Sequence, residues 1–213
     1  EDLFNEFLLE MSITVTEMFR DPAFYQSFRE KVVPVLKTYP YVKIWHAGCA
    51  SGEEVYSMAI LLHEENFLDK ATIYATDFNN HAIKRAREGI YSAKDIKHYS
   101  KLYLSAGGKS SLSDYYHADY GAVIMNDSLK KRITFANHNL VTDKVFGEMN
   151  LIVCRNVLIY FDSALQGQVF QLFRDSLCHR GFLALGSKET LDFSSVSEQF
   201  EKADAKQKIY RKL

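Results

Sequence analysis

Three groups of residues in this chain have the types and spacing to do chemistry. The first is Asp77, the acid that ends the apolar run ATIYATD (Ala71–Asp77). A carboxylate just past a strand end can accept both hydroxyls of a ribose, or it can cap the helix that follows. The second is the pair Glu53–Glu54, which closes VKIWHAGCASGEE (Val42–Glu54) behind Gly48 and Gly52. That G-x-x-x-G spacing differs from the G-x-G-x-x-G of dinucleotide enzymes, and any tight strand–helix turn can use glycine. Acids at a helix N-terminus suit the helix dipole but repel a pyrophosphate. A cationic nucleoside ligand therefore fits this turn better, and S-adenosylmethionine carries an ammonium, a sulfonium and no phosphate. The third is CRNVLIYF (Cys154–Phe161). Here Arg155 and Asn156 emerge from an apolar run, and Asn156 can hydrogen-bond an adenine or a substrate. Tyr160 offers a phenol, or is a core aromatic with a satisfied hydroxyl. Arg20, in ITVTEMFRDP (Ile13–Pro22) with Thr14 and Thr16, is by itself a surface charge; its association with the other motifs singles it out.

These groups need a scaffold, and the pattern supplies one. Val42–Ala47, Thr72–Ala75 and Leu151–Cys154 read as buried strands, with Gly181–Leu185 and Lys208–Arg211 closing the sheet. Helices are expected at Asp2–Met11, Pro22–Leu36, Glu53–Glu65, Asn79–Glu88 and Ala164–Cys178. Asp21 is placed to N-cap the second, which Pro34 can end as early as Val33. Ser105–Ser113 reads as loop. Asp114–Asn137 reads as a small β excursion around an Asn126-Asp127-Ser128 turn, returning through Arg132–Ala136. Strands alternating with helices argue for an α/β sandwich around a mostly parallel sheet, whose ligands bind at the C-terminal strand ends.

The bulk properties narrow the classes. A chain of 213 residues, 47% hydrophobic and 25% charged, suits one sizeable domain. A net charge of −1 gives no field for nucleic acid or anionic lipid, and no apolar run is long enough to span a bilayer. Three widely spaced cysteines read as reduced thiols of a cytosolic protein. His46 and Cys49 form an isolated H-x-x-C without a second ligand pair, so no metal is expected. Neither a phosphate-binding P-loop nor a nucleophile elbow is present. A start at Glu1, with neither Met nor a leader pattern, reads as a piece of a longer protein.

The motifs ITVTEMFRDP, AGCASGEEVYS, ATD, NHNL (Asn137–Leu140) and CRNVLIYF stand in the order found in the CheR-type chemotaxis-receptor glutamate methyltransferases, and the chain resembles that family over residues 12–213. The resemblance implies a Rossmann-like class I S-adenosylmethionine methyltransferase sandwich at 42–213, with a small antiparallel β-subdomain insert at about 114–137. Residues 1–41 would form a helical preface and cofactor-facing segment; family members usually carry a further helical domain in front. By motif, Thr14, Thr16 and Arg20 resemble the N-terminal cofactor-facing residues, Glu54 the acid near the methionine moiety and Asp77 the ribose acid. Asn139, Leu140, Asn156 and Val157 resemble the adenine and methionine side of the pocket. Arg20 and Tyr160 are placed like the catalytic pair proposed to hold the acceptor carboxylate.

The implied reaction is methyl transfer from S-adenosylmethionine to glutamates of a methyl-accepting receptor's cytoplasmic domain, leaving S-adenosylhomocysteine. It would be carried out by a cytoplasmic monomer without a metal. A non-catalytic S-adenosylmethionine-binding signalling module and a methyltransferase with another acceptor stay open as alternatives. Thr14 stands where many members have Asn, and His46 and Cys49 replace smaller residues beside the glycine turn.

Overall fold

The structure is a computed structural model and describes residues 16–213. Thr14 and the helix expected at Asp2–Met11 therefore lie outside the described residues.

The first helix, α1 (Pro22–Ser27), does not stop ahead of Pro34. It passes through a π turn (Phe28–Val32), in which the Val33 amide donates to the Phe28 carbonyl, and continues as α2 (Val33–Leu36). Pro34 has no amide to donate, and a one-residue bulge lets the helix absorb that loss. Next come β1 (Val42–Ala47), α3 (Glu53–Glu64), β2 (Ala71–Asp77) and α4 (Asn80–Glu88). The Asn79 side chain caps α4 by accepting the amides of His81 and Ala82. They are followed by β3 (Ile90–Ser92), α5 (Ala93–Ser105), β4 (Tyr116–Asp119), β5 (Ala122–Met125), α6 (Asp127–Lys130) and β6 (Ile133–Asn137). The chain closes with β7 (Met149–Cys154), α7 (Ser163–Ser176), β8 (Leu177–Leu185), β9 (Phe200–Asp204) and β10 (Ile209–Lys212).

Seven strands form one sheet in the order β6-β2-β1-β7-β8-β10-β9, parallel from β6 to β8, with β10 antiparallel to both its neighbours. The chain runs outward from β1 through β2 to β6, then restarts beside β1 with β7. The crevice at that reversal is where open α/β sheets bind ligands. Side chains of β1 alternate between the two faces, Val42 and Ile44 in one apolar cluster and Trp45 and Ala47 in the other. Fully buried Trp45 anchors the second cluster against Phe173, while its indole donates to Thr76 Oγ1 at 2.8 Å. Truncating an aromatic so placed costs roughly 3–5 kcal/mol.

The small antiparallel sheet is present as expected but differs in extent. It is three-stranded and antiparallel, in the order β3-β5-β4, so it begins before position 114. The segment expected to return from the excursion, Ile133–Asn137, is an edge strand of the main sheet instead. The hairpin turns at Tyr120–Gly121, and Asn126-Asp127-Ser128 opens α6 rather than a β turn. Three elements have no counterpart in the sequence reading, β3, α5 and β9. Among the described residues no helix is long and apolar enough to cross a membrane.

Candidate functional site

The turn after β1 is drawn onto the end of β2 by its own backbone. The amides of Gly48 and Cys49 both donate to the Thr76 carbonyl, at 2.8 and 2.9 Å. Ala50 N–H donates to Asp77 Oδ2 at 2.9 Å, and Asn79 N–H to Oδ1 at 2.9 Å. Asp77 is buried, which pushes its carboxyl up, while the amides of Asn79, Ala50 and Phe78 pull the other way. Its two oxygens offer about four lone-pair directions, so the two amides leave capacity for the paired hydroxyls of a ribose. The helix cap of α4 is Asn79; Asp77 braces the turn.

The glycines make room for neighbouring protein. Gly48 has φ +75°, and a Cβ there would lie 2.5 Å from Val157 Cγ2. Gly52, at φ +91°, would meet Ala86 at 2.9 Å and the Tyr91 hydroxyl at 3.2 Å. The turn is thus packed between the segment after β7 and the helix after β2, with its first amides already spent.

The two acids behind the turn part company. Glu53 is buried, accepts the Ser51 hydroxyl, and has its carboxyl pushed up by burial. Glu54 lies among His46, Tyr25 and Arg155. Burial would raise the Glu54 carboxyl, but His46 and Arg155 outweigh it and hold it below its ordinary value. His46 is sealed from solvent, its Nδ1 3.4 Å from Glu54 Oε1 and its Nε2 without a partner. It has no route to a substrate proton.

Arg155 is the hub. Its side chain is 2% exposed and its guanidinium lies 4.2 Å from the Phe24 ring centroid. Nη1 donates to Glu54 Oε2 at 2.8 Å and Nη2 to Asp21 Oδ2 at 2.7 Å. Arg20 beside Asp21 offsets that carboxylate, so the negative charge left at the strand ends is that of Glu54 and Asp77, which suits a sulfonium or ammonium and opposes a phosphate. Asp21 occupies the N-cap position of α1 but makes no side-chain cap bond. The sequence reading of Asp21 as a cap is corrected: its carboxylate reaches Arg155 instead.

Beyond Arg155 the chain turns sharply, with Asn156 at φ +62°. The turn is pinned by Glu189, a buried acid that sequence reasoning missed. Oε1 accepts the amides of Val157 (2.9 Å) and Leu158 (2.8 Å), and Oε2 those of Asn156 (3.0 Å) and Gly186 (2.5 Å). The one signal for it was an acid four residues past the strand GFLAL, which alone means little.

The remaining expected residues are distributed unevenly. Asn139 and Leu140 follow the C-terminal end of β6, but the Asn139 carboxamide oxygen accepts Val141 N–H, and the Leu140 side chain belongs to the second core cluster. The Asn139 backbone is bonded to Asp143 through both its N–H and its carbonyl. Tyr160 ends a short 3-10 turn and is 62% exposed, so it is no core aromatic. Arg20 is half-buried next to Asp21, and Thr16 is half-buried at the start of the described segment. The structure thus gathers Glu54, Asp77, Arg155 and Asn156 at the C-terminal strand ends, with Arg20 tied in through Asp21.

That edge, with a ribose-competent acid, a net negative charge and tightly packed turns, fits S-adenosylmethionine. Comparison with known proteins bears on the same question. The family model described as CheR methyltransferase, SAM binding domain, matches residues 14–209. The protein named Cher3 of Pseudomonas putida is 52% identical over 210 residues, covering 99% of this chain and 77% of its own. A chemotaxis protein methyltransferase of Listeria innocua is 31% identical over 196 residues, 89% of this chain and 70% of its own. Among solved structures, the O-methyltransferase from a trans-AT PKS multienzyme of Brevibacillus brevis, in complex with S-adenosyl-L-homocysteine, is similar at a TM-score of 0.47 and 13% identity, covering 77% of this chain and 39% of that one. The strand order, reversing at β1, and a family match over nearly the whole chain agree: the chain belongs to the CheR methyltransferase family, whose S-adenosylmethionine-binding domain it comprises.

Proposed function

We propose that this domain methylates glutamate side chains of chemotaxis receptors, forming glutamyl methyl esters. The observation that carries the cofactor half is Glu54, held ionised at the strand ends by buried Arg155, with Asp77 beside the same glycine turn. The acceptor half is supported by relatives named chemotaxis protein methyltransferase and by Arg20 beside that hub.

When bound, S-adenosylmethionine would supply a methyl on a positively charged sulfur, activated for transfer to a carboxylate oxygen with sulfur as the leaving group. What the chain must do is bind, orient and exclude water. Asp77 would take the ribose hydroxyls with the lone pairs its amide bonds leave free. Glu54 would face the cationic methionine end, with Thr14, Thr16, Asn139, Leu140, Asn156 and Val157 completing the wall. Arg20 and Tyr160 would hold the acceptor carboxylate. A glutamate is already ionised at neutral pH, with an ordinary pKa of about 4.3, so no general base is required. That agrees with His46 being sealed behind Glu54. Alignment of the acceptor then carries the rate, and Arg20 must orient that carboxylate without over-stabilising it.

The test combines methyl-labelled S-adenosylmethionine, the purified protein and receptor-containing membranes, with base-labile methyl ester as the readout. Receptor labelling that is lost in Arg20→Ala, with the fold intact, is expected; labelling of RNA or small molecules but not receptor would refute the acceptor. Asp77→Asn should weaken S-adenosylhomocysteine binding roughly tenfold by calorimetry, since it removes the charge that accepts the ribose. Unchanged affinity would dismiss the ribose role.

A further inference from the structure

We propose that Asp21 is a positioning residue for the acceptor site: clasped by buried Arg155, its carboxylate holds the strained turn that presents Arg20. The inference rests on the reading of Arg20 as the acceptor-carboxylate ligand.

Arg20 sits between two non-glycine residues in left-handed backbone, Phe19 at φ +55° and Asp21 at φ +58°. L-residues rarely adopt that region, and two flanking a single position persist only where surrounding contacts impose them. Those contacts are visible. Phe19 is fully buried, its amide donates to Ser57 Oγ at 2.9 Å, and its ring packs 5.2 Å from both Tyr25 and Tyr103. Asp21 forgoes the helix cap that its position offers and gives its carboxylate to Arg155 Nη2 at 2.7 Å. Arg155 is itself fixed by Glu54 at 2.8 Å and by the Phe24 ring, so the clasp is anchored on a nearly immobile group. One side of Arg20 is thus tied to α3 and the other to the end of β7. Because Glu54 has its own bond to the same guanidinium, removing the Asp21 carboxylate spares the cofactor-facing acid. That asymmetry separates positioning from general support of the fold.

The variants are Asp21→Asn, which keeps the shape and removes the charge, and Asp21→Gly, which removes the clasp while adopting φ +58° without strain. Three readouts apply to each: limited trypsin digestion followed by mass spectrometry, S-adenosylhomocysteine affinity, and kcat and KM for receptor methylation. Measured against the same bond in the urea-unfolded form of each protein, which discounts the changed residue after the scissile bond, cleavage after Arg20 should accelerate roughly tenfold or more while other sites keep their rates, since a freed turn fits a protease. The value of kcat should fall roughly tenfold or more, with cofactor affinity held within about threefold, because misplacing an orienting group costs rate before binding. Unchanged cleavage after Arg20 together with unchanged kcat overturns the proposal. So does a parallel loss of digestion resistance at every site, of affinity and of kcat, which would mark Asp21 as a brace of the whole fold. If the wild-type protein fails to methylate receptor, the acceptor reading falls, while cleavage at Arg20 still decides whether Asp21 holds the turn.

Discussion

Replacing Glu189 with glutamine tests the brace under the Arg155–Asn156–Val157 turn. The carboxylate accepts four backbone amides, two on each oxygen. Glutamine is nearly isosteric but has one accepting oxygen, so in either orientation its –NH2 confronts two N–H donors. A buried amide left without an acceptor costs roughly 1–3 kcal/mol. Two such losses, partly offset by no longer burying a charge, leave a net penalty of about 3 kcal/mol. For a chain of this size that lowers the melting temperature by about 6–12 °C. Because the freed amides belong to the turn carrying Asn156 and Val157, S-adenosylhomocysteine affinity should fall with it, by roughly tenfold. Calorimetric melting and isothermal titration of Glu189→Gln measure both. A variant melting within about 2 °C of wild type would show that the carboxylate is not holding the turn. A large melting shift with unchanged affinity would show that the turn is independent of the cofactor site.

Gly48→Ala should destabilise the protein by roughly 2–4 kcal/mol, since it combines left-handed backbone with a Cβ 2.5 Å from Val157 Cγ2. Adding Val157→Ala should recover the steric part in a double-mutant comparison; no recovery would mean that the penalty is backbone strain alone. Acid stability should depend on Asp204. Burial favours its neutral form, but Lys31, Ser27 and the Gln207 amide win and hold the carboxyl at about 2, against an ordinary 3.8. A depressed folded value means that its stabilising contribution is complete above about pH 4 and disappears as pH falls toward about 2. In urea unfolding, the gap between wild type and Asp204→Asn should therefore close across that window; a constant gap would contradict the assignment.

The parts of this molecule legible in its sequence are those fixed by neighbours along the chain. The strands β1, β2 and β7 are continuous apolar runs, and the acid at Asp77 and the turn at Gly48 follow from their ends. The small antiparallel sheet was legible in kind, since β4 and β5 fall in the segment read as a β excursion, but not in its extent or its turn. Asn126-Asp127-Ser128 is a sound turn pattern, yet Asn126 serves as the N-cap residue of α6. The true hairpin turns on Tyr120 at φ +38° beside Gly121, and Tyr is no turn former. The three residues of β3 carry no periodicity and are strand only because β5 pairs with them.

The same limit governs the site. From the sequence, Asp21 is a helix cap, Arg155 a residue at a strand end, and Glu53–Glu54 a single acidic feature. Asp21 lies 134 positions from the guanidinium it pairs with, and Glu54 lies 101. Such partners are chosen by sheet order, which brings the end of β7 against that of β1, and nothing local encodes them. The consequence is physical as well as interpretive. Two adjacent glutamates would present two negative charges to a ligand, but Glu53 is buried against Ser51 and Glu54 is half-neutralised by Arg155. Asp21 supplies a second carboxylate to the same guanidinium from a different element, with Arg20 beside it as a further cation. Preference for a cationic cofactor is therefore carried by Glu54 as the fold sets its charge, and changing Glu54 or its partner Arg155 should alter it even though only Glu54 stands in the glycine-turn motif.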